Sequence, residues 1–190
     1  MKAVSIVTPG KIEIIELPDP TPNNSEVVVE VAAVGICGTD LHIFEGEFAP
    51  TFPIVPGHEM TGTIVAIGKD VTGFGIGQRV AVIHPGAYQL TRNVPATNVV
   101  PLPDDISLEV AGSSLVRGLT AEYLLRRLYL VKAGDAVLVH AAAGGMGLIL
   151  SQWAHSLGAL VVGTVGSKQK IDLALNNGCD YVINYRQEDF

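Results

Sequence analysis

The sequence predicts a mixed α/β chain in two parts: a β-rich N-terminal portion, then the opening half of a parallel sheet layered with helices. Three observations predict it. Short Val-rich runs punctuated by Gly and Pro fill residues 1 to about 105, as in a small barrel or sandwich. From Ala136 onward apolar runs alternate with helical periodicity, the mark of βαβ units. Between them, Pro101-Leu102-Pro103-Asp104-Asp105 marks the change of pattern. Domains are therefore expected over residues 1–112 and 113–190.

The elements follow in order. Pro9-Gly10 separates Ala3–Val7 from Ile12–Leu17 and predicts a hairpin. Glu26 to Val34 reads as a long strand, and Thr61–Ile67, Gln78–Val82 and Ala87–Leu90 as shorter ones. Ser107 is placed to cap a short helix with Leu108 and Val110 inside, and Leu115 to Leu128 reads as a second helix. Strands are expected at Ala136–His140, Leu160–Val165 and Tyr181–Asn184, with a helix over Leu148–Leu157 and a helix stop at Asn177-Gly178. A complete doubly wound sheet of this type has six strands and three are encoded, so the chain reads as truncated, with a bare edge on the first strand.

Composition narrows the function. With 48% hydrophobic and 16% charged residues, the chain can bury a core and is not disordered. The net charge is -7 and no basic cluster exceeds Arg126-Arg127, which argues against a nucleic-acid partner. No signal peptide is apparent, and glycines break the longest apolar stretch, which argues against a membrane span. Two cysteines far apart, Cys37 and Cys179, fit a reducing, cytoplasmic setting better than a disulfide scaffold. The oligomeric state is open, a homo-oligomer being one option.

The most specific motif is Val139-His140-Ala141-Ala142-Ala143-Gly144-Gly145-Met146-Gly147-Leu148, set between two strand-like runs. Small residues let backbone approach a diphosphate, and the following helix N-terminus offers N–H groups and a positive dipole end. Ala142, Gly144, Gly145, Met146 and Gly147 are thus candidate dinucleotide contacts; a tight strand–helix turn without ligand is the plain alternative. A second constellation is Gly35-Ile36-Cys37-Gly38-Thr39-Asp40-Leu41-His42 with Gly57-His58-Glu59. A thiolate, an imidazole and a carboxylate suit Zn²⁺, with Asp40 orienting a ligand and Thr39 and His42 relaying a proton. The plain alternative is a buried Cys37 acting as a small hydrophobe and His58 as a loop residue. Phe44, Phe48 and Phe52 either line an apolar pocket or fill the barrel core.

Together these motifs resemble the medium-chain dehydrogenase/reductase superfamily, whose members join a GroES-like β-barrel to a Rossmann domain. The resemblance covers the whole chain. Residues 1 to about 84 look like the zinc-containing alcohol dehydrogenases, through Gly35 to His42, Pro56-Gly57-His58-Glu59 and Gly77-Gln78-Arg79-Val80. From about Gly86 the chain looks like NADPH:quinone oxidoreductase of the zeta-crystallin type, through Gly86-Ala87-Tyr88, Arg92-Asn93-Val94-Pro95-Ala96, Arg117-Gly118-Leu119-Thr120-Ala121, His140 to Gly147 and Val182 to Arg186. The fold implied is a GroES-like β-barrel followed by a partial Rossmann sheet, and His84-Pro85 reads as a junction.

The zinc branch implies Cys37, His58 and the adjacent Glu59 at the metal. Its third ligand position matches Arg117, a cation that cannot ligate Zn²⁺; the quinone branch carries a basic residue there and needs no metal. NAD enzymes place a carboxylate at the end of the second strand. The matching position is Val165, so NADP (as NADPH) is favoured, its 2′-phosphate held by Ser167, Lys170 and Tyr185. The alternative for Lys168 and Lys170 is a solvated first helical turn. The expected function is NADPH-dependent hydride transfer to a small-molecule quinone, enone or carbonyl. The alternatives are a zinc-dependent alcohol dehydrogenase and a non-catalytic dinucleotide-binding or structural protein.

Overall fold

A computed structural model describes residues 1–48 and 51–189. The chain divides into two compact units, Met1–Leu115 and Val116–Phe190. This division and the expected boundary both fall inside one helix.

In the first unit, β1 (Lys2–Thr8) and β2 (Lys11–Glu16) pair antiparallel around Pro9-Gly10, as the turn residues predict. Five further strands form one antiparallel sheet: β3 (Glu26–Val34), β4 (Glu59–Ile67), β5 (Arg79–Ile83), β6 (Thr91–Pro95) and β7 (Val99–Pro101), in the order β6-β3-β4-β5-β7. Val27, Val29, Met60, Ile64, Val80, Val82 and Val94 fill its core. Each such side chain gives roughly 1.5–3 kcal/mol on burial. Among the described residues the strands do not close into a full barrel: β1 and β2 form a separate sheet, and β1 is bridged to the loop residues Gln89 and Ile54.

Three local expectations are corrected. Ala87–Leu90 is not a strand, because its backbone is taken up by the loop before β4: the N–H groups of Ala87 and Tyr88 donate to Gly57 and Pro56. The polar strand β6 had no apolar alternation to announce it. The two expected helices are one, α2 (Leu108–Glu122), continued by a π-helical turn at Tyr123–Leu128. Ser107 does cap it, its Oγ accepting from the Val110 N–H at 3.2 Å, but Val110 faces solvent. Between α1 (Gly38–Glu45) and β4 lies a loop that carries His58.

The second unit holds the parallel sheet β10-β9-β8: β8 (Ala136–Val139), β9 (Leu160–Val165) and β10 (Tyr181–Asn184). Helices α3 (Gly145–Ser156) and α4 (Ile171–Leu175) connect them. Val139, Ala142, Ala154, Val161, Val165 and Ala174 form its core. Among the described residues β8 pairs only with β9, so the first strand has the open edge that the sequence predicts.

Candidate functional site

In the first unit the candidate residues surround a buried carboxylate. Asp40 is 6% exposed, near the start of α1. One of its oxygens accepts from the Cys37 N–H at 2.9 Å and from the Tyr88 hydroxyl at 2.9 Å. The other accepts from the Gly57 N–H at 3.1 Å and lies 3.7 Å from His58 Nδ1. Gly57 has φ +84°, and a Cβ there would press on the Tyr88 ring at 2.5 Å, so only glycine suits this corner. Burial first, then the hydrogen bond and charge of Asp40, push the Tyr88 hydroxyl pKa well up. Tyr88 therefore keeps its proton at neutral pH. Asp40 thus orients Cys37, Gly57 and Tyr88 at once, a role for Tyr88 that the Gly86-Ala87-Tyr88 motif alone did not reveal.

The three candidate metal donors are not brought together. Glu59 is 1% exposed, and its carboxylate lies against the Cα of Gly35. Among the described residues, the acidic and His/Cys groups with ligand atoms within 4.8 Å of one another are instead His42, Glu45 and Glu47, all exposed. His42 Nδ1 meets the Glu47 carboxylate at 2.6 Å, and its ring packs edge-on against Phe48 at 5.1 Å. Thr39 lies 3.6 Å from Cys37 Sγ, and no hydrogen bond joins Thr39 to His42. Phe48 is exposed, while Phe44 and Phe52 are half-buried.

In the second unit the turn between β8 and α3 is held rigidly and left open at its outer face. Thr164 of β9 pins it: the Thr164 carbonyl accepts from the Ala142 N–H at 2.9 Å, and its hydroxyl meets the Ala141 N–H at 3.4 Å and His140 Nδ1 at 3.2 Å. Ala141 has φ +51°, the one positive φ of a non-glycine among the described residues. Gly147 lets α3 close onto the strand, since a Cβ there would come within 2.6 Å of Ala142 Cα. Gly144 caps α3 without a side-chain partner, and no acidic residue lies in the first turn. The N–H groups of Gly145, Met146 and Gly147 have no acceptor among the described residues. Free N–H groups at a positive helix end can receive an anion. Ala142, by contrast, is fully buried.

At the end of β9, Val165 is 1% exposed and belongs to the core. The next residue, Gly166, sits beside Tyr185: a Cβ there would lie 3.0 Å from Tyr185 Cζ. Ser167, Lys170 and Tyr185 lie at this corner, with Lys168 and Lys170 on one exposed 3-10 turn. Neither lysine forms an ion pair among the described residues.

The alcohol dehydrogenase GroES-like domain family matches residues 23–127, and the zinc-binding dehydrogenase family matches residues 145–190. The chain belongs to the alcohol dehydrogenase GroES-like family. With it comes membership of the medium-chain dehydrogenase/reductase superfamily. A quinone oxidoreductase of Salmonella typhimurium is 43% identical over 95% of this chain and 56% of its own length. A 2-haloacrylate reductase of Burkholderia is 40% identical over 90% of this chain and 54% of its own. The crystal structure of Escherichia coli quinone oxidoreductase complexed with NADPH superposes with a TM-score of 0.95 at 38% identity, covering 100% of this chain and 60% of that one. The chain thus spans little more than half the length of these relatives. The 95% coverage carries the quinone-oxidoreductase likeness into both parts of this dehydrogenase/reductase chain. No described helix is long and apolar enough to cross a membrane.

Proposed function

We propose that this chain carries the GroES-like unit and the diphosphate-binding half of an NADPH-dependent oxidoreductase that reduces a quinone, enone or related carbonyl. The observation that carries the reading is the trio of unmatched N–H groups at Gly145, Met146 and Gly147, close in sequence to a corner bearing Ser167, Lys170 and Tyr185. The trio receives the diphosphate. The corner receives a 2′-phosphate: Lys170 supplies charge, Ser167 and Tyr185 supply hydroxyl donors, and no acidic side chain occupies Val165, Gly166 or Ser167 to repel it. When bound, NADPH supplies the hydride. The NADPH-complexed relative supports the same choice of cofactor.

The residues present do not suit a catalytic Zn²⁺. Cys37 and His58 remain as donors, Glu59 is packed against Gly35, and the sequence position that the resemblance matches to a third ligand holds Arg117, a cation. The metal-free branch is therefore the reading adopted, with the acceptor polarised by hydrogen bonds. Thr39 and His42, on the exposed side of α1, are the candidate donors and proton carriers. His42 would have to leave Glu47 to serve.

Three measurements on the purified chain test this. NADPH fluorescence titration should give binding about tenfold tighter than NADH, the size expected for one good charge-assisted contact. Dialysed protein should hold far less than one zinc per chain. NADPH oxidation should respond to a simple quinone. Absence of nucleotide binding sinks the cofactor assignment, and stoichiometric zinc overturns the metal-free branch. Binding without turnover favours a dinucleotide-binding protein that does not catalyse on its own.

A further inference from the structure

Arg117 has so far counted only as the residue that bars a metal. Its side chain has a definite place within the second unit. From the start of that unit on α2, the guanidinium reaches Gly145, where a Cβ would lie 3.0 Å from Arg117 Cζ and 3.2 Å from Nη1. Gly145 is the first residue of α3 and one of the three carrying unmatched N–H groups. A fixed cation is thus packed against the positive end of a helix, an arrangement that helix electrostatics disfavours. No acidic side chain in the first turn of α3 offsets it, and Arg117 makes no ion pair among the described residues. Arg117 is half-buried, so water screens the repulsion only partly. The missing partner is an anion lying against both groups.

We infer that Arg117 binds the diphosphate of the dinucleotide, its guanidinium and the α3 N–H groups forming one cradle. The inference rests on the dinucleotide reading above and adds a side chain to it. The planar, five-donor guanidinium suits two adjacent phosphate oxygens, which a lysine would meet only as a point charge. Gly145 suits this approach, because a Cβ there would press on the guanidinium at 3.0 Å.

The test compares Arg117→Gln, and Arg117→Met should the first melt early, with the parent chain. Three probes are titrated: NADPH, adenosine 2′-phosphate and inorganic pyrophosphate, the last by thermal shift. The substitution should weaken NADPH by about tenfold or more, abolish the pyrophosphate-induced rise in melting temperature, and leave adenosine 2′-phosphate binding within about twofold. Arg117→Lys should recover part of the loss. Unchanged NADPH affinity in a folded variant overturns the inference alone. Equal loss of NADPH and adenosine 2′-phosphate also overturns it, since a cradle for the diphosphate cannot weaken a ligand lacking one. Failure of the parent to bind either NADPH or pyrophosphate overturns the dinucleotide reading and this inference with it.

Discussion

The Asp40 network and the turn before α3 are built on opposite terms. Around Asp40 the carboxylate oxygens are occupied, by Cys37 and Gly57 N–H groups and the Tyr88 hydroxyl, and Asp40 itself is buried. At the turn, Thr164 satisfies the inner backbone, yet among the described residues three N–H groups and a neighbouring guanidinium remain unmatched. A satisfied buried cluster fixes geometry, whereas an unsatisfied rigid one waits for a ligand. The first region therefore reads as a positioning scaffold and the second as a binding site.

The comparison can be broken most severely at Gly147. Gly147→Val forces a side chain into the Ala141–Ala142 backbone. It should cost at least about 3 kcal/mol and eliminate NADPH binding, as read by denaturant unfolding and fluorescence titration. A variant that still binds NADPH at parental affinity would refute the close-packed turn. Asp40→Ala leaves three donors without their acceptor, two of them backbone. It should cost about 3 kcal/mol while NADPH affinity holds within about twofold; a large loss of NADPH affinity instead would erase the distinction between the regions.

A smaller effect sharpens the second region. Lys170→Ala should weaken NADPH by about tenfold and leave NADH alone, measured by paired titrations; equal effects on both nucleotides would remove Lys170 from a 2′-phosphate site. The smallest effect tests the scaffold. The Tyr88 pKa is raised on folding, so its hydroxyl contributes stability that is complete below pH 10 and is lost as pH climbs toward the folded value. Tyr88→Phe should cost about 1 kcal/mol at neutral pH and flatten the fall of stability above pH 10. An unaltered alkaline slope in the variant would show that another group sets it.

Some of this was legible in the residues alone and some was not. The strand–turn–helix–strand run from Ala136 to Val165 could be read because every signal in it is local: apolar runs, small turn residues and helical periodicity lie in sequence order, and β9 and β10 have the predicted bounds. The β6 strand and the merged α2 were missed because their signals are weak or ambiguous: polar residues at Thr91-Arg92-Asn93, and two helical patterns that the structure joins through residues 111–114. The small-residue turn before α3 was likewise readable, since a close strand–helix turn depends on small residues at fixed offsets.

The sequence by itself determined the α/β class, the small-residue turn before α3 and the lack of a carboxylate after β9, because these depend on neighbours along the chain. Only the tertiary structure decided which groups converge. It set Tyr88 on Asp40 from 48 residues away, turned Glu59 against Gly35, and laid Arg117 on Gly145. The physical reason is that a motif records the chemistry of a side chain, while its direction and partner follow from how separate elements pack.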